Sequence, residues 1–205
     1  MISVLWRGER LRSAEHCTLA DAGGGHRLSG TVLLPVGASP GWVAYRVDAD
    51  DRWRTRAVEL AWSDGAATRR RSIVADGDGR WTVDGVAAPA LDGCVDVDLG
   101  FSPCTNTLPI RRLVPAAGEV ARIRAAWVRF PEFTVEAGAQ SYERLGEARW
   151  AYRSGAFAAA LTVAPSGLVI DYEGVWTAVA GPSPAHAAAG APLPGPLPGP
   201  LPGGP

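Results

Sequence analysis

Residues 94–113 read CVDVDLGFSPCTNTLPIRRL, and this is the most informative stretch of the chain. In its first half, apolar residues alternate with a set that includes Asp96 and Asp98. A period of two is typical of a β-strand whose two faces differ. We therefore expect Asp96 and Asp98 to project from the same face of one strand, roughly 6–7 Å apart.

Similar short segments, bounded by Gly, Pro and Asp, recur on both sides of this run. Residues 53–62 alternate clearly, and the sequence DGDG predicts a tight reversal within a hairpin over residues 72–83. A second hairpin is predicted near residues 165–167. Residues 116–124 form a weak helix candidate that the alternation contests, and residues 156–161 are better explained as a strand. Many short antiparallel strands favour a sandwich, a barrel or a rolled sheet.

Two phrases carry a family resemblance: residues 96–113 and residues 165–176. They resemble a bacterial family described as "putative glycolipid-binding" proteins, and the likeness extends more loosely from Trp6 to about Val179. The resemblance implies an all-β fold, a single strongly curved antiparallel sheet rolled into a partly closed barrel. This outline is similar to that of periplasmic lipoprotein carriers and mycobacterial lipid-binding lipoproteins. A lipid or glycolipid ligand is implied by the same analogy.

Composition predicts one domain and a tail. The chain has 205 residues, 47% of them hydrophobic and 20% charged, which is enough for one sizeable core. We assign residues 1–180 to this β domain. Residues 181–205 contain nine of the 17 prolines and are predicted to be a disordered Pro/Gly/Ala-rich tail. The Pro-Leu-Pro-Gly repeats could alternatively engage an aromatic-lined peptide groove.

Charge and cysteine usage exclude several classes of partner. The formal net charge is −1, so no global field draws the protein onto nucleic acid, and the run of arginines at residues 69–71 is interpreted as a solvated strand end. No secretory signal and no apolar run long enough to span a membrane is visible, which predicts a cytoplasmic protein. The three cysteines lack metal-type spacing and are expected to be free thiols, with no metal and no cofactor.

Eight tryptophans are the first candidates for ligand contact. An indole offers a broad apolar face and one N–H donor, which suits both sugar rings and acyl chains. The strands of Trp62, Trp127 and Trp150 alternate most cleanly, so these three are predicted to face the inside of the sheet. Core filling is the alternative role for each of them.

Polar candidates lie within residues 94–113 themselves. Arg111 and Arg112 can supply guanidinium groups to the paired aspartates, and on a regular strand only one of them would point toward the aspartate face. Asn106, within a Thr-Asn-Thr cluster, could recognise carbohydrate hydroxyls. A structural ion-pair network and local turn hydrogen bonds are the respective alternatives.

These observations favour binding over catalysis. We predict that a lipid or glycolipid is held in the concave interior by Trp62, Trp127, Trp150, Asp96, Asp98, Asn106, Arg111 and Arg112. No known catalytic or nucleotide-binding motif appears. The alternatives are a hydrolase or isomerase that uses Asp96 or Asp98, and a solid barrel that acts as an interaction module through its Pro-rich tail.

Overall fold

The computed structural model describes residues 1–183 and consists of one large sheet. Its strands are β1 (Ile2–Gly8), β2 (Ser13–Asp21), β3 (Gly25–Val36), β4 (Ser39–Asp50), β5 (Thr55–Ser63), β6 (Thr68–Ala75), β7 (Trp81–Val83), β8 (Val86–Ala87), β9 (Asp96–Leu99), β10 (Val120–Val128), β11 (Val135–Arg144), β12 (Arg149–Ser154), β13 (Phe157–Val163), β14 (Val169–Tyr172) and β15 (Trp176–Ala180). The helical elements are single 3-10 turns at Pro89–Leu91 and Cys104–Asn106 and the short helix α1 (Thr107–Leu113).

The sheet is built from two meanders that meet at its centre. Strands β1 to β8 follow one another on one side, strands β15 back to β9 follow on the other, and β1 pairs with β15. All neighbours are antiparallel except β9 and β10. A parallel pair needs a crossover connection, and the segment that contains α1 supplies it. The predicted all-β fold with a single antiparallel sheet is confirmed, with this one parallel exception.

Strong curvature brings the two halves of the sheet against each other. The Trp62 ring in β5 stacks on Phe133, which follows β10, with ring centroids 4.2 Å apart. The backbone N–H of Thr55 donates to the carbonyl of Val95 at 3.2 Å, just before β9. Within residues 1–183, however, the edge strands β8 and β9 do not pair with each other. The sheet is therefore rolled but not closed by hydrogen bonds.

The rolled sheet has one continuous inner surface. Neighbouring registers link the inward-facing positions of each strand to those of the next, so the half-buried Asp98 lies opposite the half-buried Trp127 and Trp150 lies opposite Leu161. On the other half, Trp62 lies opposite the buried Val43. Trp62, Trp127 and Trp150 thus share the inner surface that their alternation predicts.

Residues 101–110 fill much of the space inside the roll, and we call them the inner segment. All ten are buried. Its polar groups are tied to the sheet: Ser102 Oγ donates to Glu15 in β2 at 2.6 Å, and Asn106 Oδ1 accepts from the Tyr142 hydroxyl in β11 at 2.8 Å. The predicted hollow is consequently occupied in part by the chain itself.

Helix α1 is the main departure from the sequence prediction, which placed Arg111 and Arg112 on a strand. Pro109 is compatible with a helix here because it lies in the first turn, where its missing N–H has no partner to lose. The helix ends at Val114, whose φ of 35° is left-handed. The contested helix at residues 116–124 is wrong, since β10 covers Val120–Val128.

The predicted hairpins and the strand at residues 156–161 are confirmed. β6 and β7 pair through a turn in which Gly77 and Gly79 have φ of 94° and 89°. β13 and β14 pair through a turn that contains Gly167, with φ of 87°.

Residues 184–205, most of the predicted tail, lie outside the described residues. No helix among residues 1–183 has the length and apolarity needed to cross a bilayer.

The packing of the inner segment generates a first prediction. Leu108 is 1% exposed, so Leu108→Ala should lower the free energy of unfolding by about 2–5 kcal/mol through lost burial and the resulting cavity. Leu33, which is 59% exposed, serves as the control, and Leu33→Ala should change it by less than about 0.5 kcal/mol. Urea unfolding followed by tryptophan fluorescence measures both. Equal effects would mean that the inner segment does not form part of the core.

Candidate functional site

A pocket of about 370 Å³ remains at one end of the roll, beside the inner segment. The β1–β2 turn, the ends of β12 and β13, and the residues after β9 and β10 converge there. Exposed Arg10 and Gly100 lie among the lining residues, whereas Leu99, Ser102 and Trp176 are buried. The pocket therefore extends from solvent into the inner surface of the sheet.

Aromatic rings make up much of the pocket lining. Trp127 and Phe130 come from β10 and the residues after it, and Tyr152, Phe157 and Tyr172 come from β12 to β14. Tyr152 and Tyr172 meet edge to face with centroids 6.0 Å apart, and Phe157 packs against both. These rings fix one another, so the lining is pre-formed rather than assembled by a ligand.

Asp98 is the one carboxyl group in the lining of this pocket within residues 1–183. Its Oδ2 accepts a hydrogen bond from Gln140 Nε2 at 2.5 Å. Burial raises the pKa of Asp98 to about 6, against the opposing effect of Gln140 and the nearby Tyr152 hydroxyl, and the nearby Asp96 adds to the rise. A carboxyl in this state can accept hydrogen bonds from a ligand or exchange a proton near neutral pH.

The other polar lining groups are mostly engaged within the protein. Asn106 donates from Nδ2 to the Pro103 carbonyl at 3.2 Å and accepts from Tyr142. Ser102 Oγ donates to Glu15 and accepts the backbone N–H of Cys104. At the rim, the Arg10 guanidinium lies 5.0 Å from the centroid of the Phe157 ring. Asp98 and Arg10 are thus the charged groups of the lining.

Asp96 lies next to the pocket but is committed to an ion pair. The guanidinium of Arg112 in α1 donates to both carboxylate oxygens, and Asp96 is 1% exposed. Burial raises the pKa of Asp96 even though Arg112 acts in the opposite direction. The cost of removing the Asp96 carboxylate from water therefore exceeds its attraction to the Arg112 guanidinium, as is usual for buried ion pairs. The pair fixes α1 against β9.

Of the eight residues predicted for the site, Asp98, Asn106 and Trp127 line the pocket. Trp62 and Trp150 lie on the same inner surface but outside the lining, and Asp96 and Arg112 form the adjacent ion pair. Arg111 points away: its guanidinium lies 5.1 Å from the centroid of the Trp53 ring, and its Nη1 donates to the Pro165 carbonyl.

Sequence reasoning missed much of the aromatic lining. Tyr152 shares the parity of Trp150 in β12, so the alternation that selected Trp150 could have selected Tyr152 as well. Phe157 and Tyr172 follow the same inner-face pattern, but neither lies in a long alternating run. Arg10 lies in a turn and has no sequence signal. Only the curvature of the sheet brings these residues to one place.

The described residues form a rolled single-sheet β domain with an aromatic-lined pocket at one end. The family model described as "Putative glycolipid-binding" matches residues 3–178, and the chain belongs to this family. The chain is also similar to a DUF1089 family protein from Pseudomonas aeruginosa, known from a crystal structure. The two share 36% identity with a TM-score of 0.73, over 80% of this chain and 91% of the other. A comparison with curated proteins found no match.

The raised pKa of Asp98 predicts how stability depends on pH. The folded state holds the proton up to about pH 6, whereas an unfolded aspartate loses it near 3.8, so stability should fall as pH rises between these values. A difference of about two pKa units corresponds to roughly 3 kcal/mol at most. Asp98→Asn should remove this loss and raise the free energy of unfolding at pH 8 by about 1–3 kcal/mol. Urea unfolding from pH 4 to pH 8 measures it, and parallel curves for the two proteins would contradict the assignment.

The buried ion pair gives a third prediction. Arg112→Met should lower the free energy of unfolding by about 3–5 kcal/mol, because Asp96 is left buried without its cation. Adding Asp96→Asn should restore most of that loss, since the double variant no longer buries a charge. Chemical unfolding of the single and double variants measures the coupling. Additive losses would show that the pair does not act as a unit.

Proposed function

We propose that this protein binds a lipid or glycolipid in the pocket at the end of the roll and does not transform it. The observation that carries the proposal is the pre-formed pocket of about 370 Å³, with aromatic rings beside a single carboxyl group. The family's description, which suggests glycolipid binding, supports the same class of ligand. A solid interior, the premise of the interaction-module hypothesis, does not fit a pocket of this size.

The pocket size limits which part of a ligand enters. Ligand pockets span roughly 300–1,000 Å³, so this one holds a single ring or a short chain segment rather than a whole two-chain lipid. Aromatic faces stack on the apolar face of a sugar ring, and the Asp98 carboxyl accepts hydrogen bonds from hydroxyl groups. We therefore assign the sugar ring to the pocket and the start of the acyl chain to its rim, near Leu11 and Phe130.

The predicted Arg111 and Arg112 site for a polar head is not retained in this proposal. Arg112 is paired with Asp96, and Arg111 is directed toward Trp53. Arg10 at the rim is the guanidinium that a ligand would meet. Trp62 and Trp150 are buried on the inner surface but do not line the pocket, so neither is assigned to the ligand. The three cysteines are buried and form no disulfide, which supports residence in a reducing compartment such as the cytoplasm.

Binding is tested with octyl glucoside as the probe, alongside glucose and octanol, by calorimetric titration of the full chain. Trp127→Ala should weaken octyl glucoside binding about tenfold or more, because the stacking ring is lost. Trp42→Ala is the matched control: Trp42 is also half-buried but lies outside the pocket. Native mass spectrometry of protein from its own host, followed by organic extraction, should recover a bound lipid or glycolipid.

Three results would count against the proposal. Equal losses in Trp127→Ala and Trp42→Ala would show that the probe binds elsewhere. If octanol bound as tightly as octyl glucoside, the sugar ring would contribute nothing to binding, and its assignment to the pocket would be wrong. Ligand binding would be contradicted altogether if native mass spectra showed no bound molecule and the protein bound none of the three compounds.

A second candidate function rests on the titration range of Asp98. A carboxyl with a pKa of about 6 inside a pocket suits proton transfer, as in an isomerase or a hydrolase. Glycoside hydrolysis by paired carboxyls is disfavoured, because Asp96 is held by Arg112 and does not line the pocket. Turnover of glycosyl or acyl esters that disappears in Asp98→Asn would establish this alternative in place of binding alone.

A further inference from the structure

A second group of reactive side chains lies deeper in the roll, outside the pocket. Glu15 and Cys17 are two residues apart on β2 and share the inner face, and Cys104 faces them from the inner segment. One donor atom from each of the three residues lies within 4.8 Å of the other two. All three residues are 0% exposed. Two thiols and a carboxyl group from two separate elements thus converge on one buried point.

An unsatisfied oxygen in this cluster points independently to a missing ligand. Glu15 Oε1 accepts two hydrogen bonds, from the Tyr45 hydroxyl at 2.5 Å and from Ser102 Oγ at 2.6 Å. Glu15 Oε2 is buried and has no hydrogen-bond partner among residues 1–183. A buried carboxylate oxygen without a partner is costly, and a bound cation is one of the few groups that can satisfy it.

The donor set matches the preferences of zinc. Zinc in structural sites is tetrahedral, with bonds of about 2.3 Å to sulfur and about 2.0–2.2 Å to carboxylate oxygen. Ligand atoms around such an ion are roughly 3.5–3.8 Å apart, inside the 4.8 Å limit that the three donors meet. The Tyr45 hydroxyl lies beside the cluster and donates to Glu15 Oε1, which helps to fix the position of the carboxyl group.

Charge also favours a divalent ion. Two thiolates and one carboxylate carry three negative charges, and no Arg makes an ion pair with Glu15 within the described residues. Burial raises the pKa of the Cys104 thiol well above its usual value and raises that of Glu15 to about 8, so neither group favours its charged form in the absence of a cation. A divalent ion would offset two of the three charges, and its binding would release the protons.

We propose that Glu15, Cys17 and Cys104 form a structural zinc site that fastens the inner segment to β2. The bonds connect the sheet to the segment that also borders the pocket through Ser102. Because the cluster is fully buried, the ion enters as the chain folds or when the inner segment undocks. The site is independent of the ligand that the pocket takes.

The experiment measures zinc in the full chain, expressed in zinc-supplemented medium, by elemental mass spectrometry. About one zinc per chain is expected, and Cys17→Ser and Cys104→Ser should each reduce it at least tenfold. Cys94→Ser is the matched control, because Cys94 is also buried but belongs to no such cluster. Glu15→Gln, which keeps the size of the side chain, should weaken zinc retention against a chelator.

Refolding with cobalt provides a second readout, which is compared only among variants whose circular dichroism shows that they have folded. The wild-type chain and Cys94→Ser should show sulfur-to-cobalt charge-transfer absorption and the strong visible bands of tetrahedral cobalt. Cys17→Ser and Cys104→Ser should lose the charge-transfer intensity. A folded chain that takes up neither zinc nor cobalt would overturn the proposal. So would equal metal content in all variants, or a mass lower by two hydrogens that reveals a Cys17–Cys104 disulfide.

Discussion

Burial of the inner segment imposes the most demanding hydrogen-bonding requirement in this fold. Ten consecutive residues of irregular and helical backbone lie inside a rolled sheet, where water is not available to satisfy their polar groups. The Leu99 N–H therefore donates to Thr105 Oγ1, Asn106 bonds Tyr142, and Ser102 bonds Glu15. Each bond ties the segment to a different part of the fold. The middle of the motif at residues 94–113 is therefore the inner segment, which fills the interior of the roll. Its own side chains supply much of the hydrogen bonding that this buried position requires.

The same constraint explains why the pocket lies where it does. The inner segment fills the middle of the roll, and vacant space remains at the end where the β1–β2 turn and the β12–β13 hairpin converge. Asp98 sits at the boundary between the filled and the vacant regions. Its carboxyl accepts a hydrogen bond from Gln140 yet still lines the pocket, and burial at this boundary disfavours its charged form.

Patterns within single strands were predictable, whereas contacts across the roll were not. A period of two placed Asp96 with Asp98 and put Trp62, Trp127 and Trp150 on the inner face, because side-chain direction in a strand depends only on local geometry. Helix α1 was missed because its seven residues contain a proline and are too few to show helical periodicity. The aromatic lining could not be anticipated, since the degree of curvature decides which distant strands meet. Alternation alone was compatible with a sandwich, a barrel or a rolled sheet. The family resemblance selected the rolled sheet among these three.

The pairing of β1 with β15 has a consequence for how the molecule assembles. This seam joins Gly8 to Trp176 and divides the sheet into an eight-stranded and a seven-stranded meander, each made of neighbours in sequence. Contacts within a meander close short loops, but the seam closes a loop of nearly the whole domain, which carries the largest entropic cost. We therefore expect contacts within each meander to form before the seam does. The native roll is complete only when the two halves join along β1 and β15 and trap the inner segment between them.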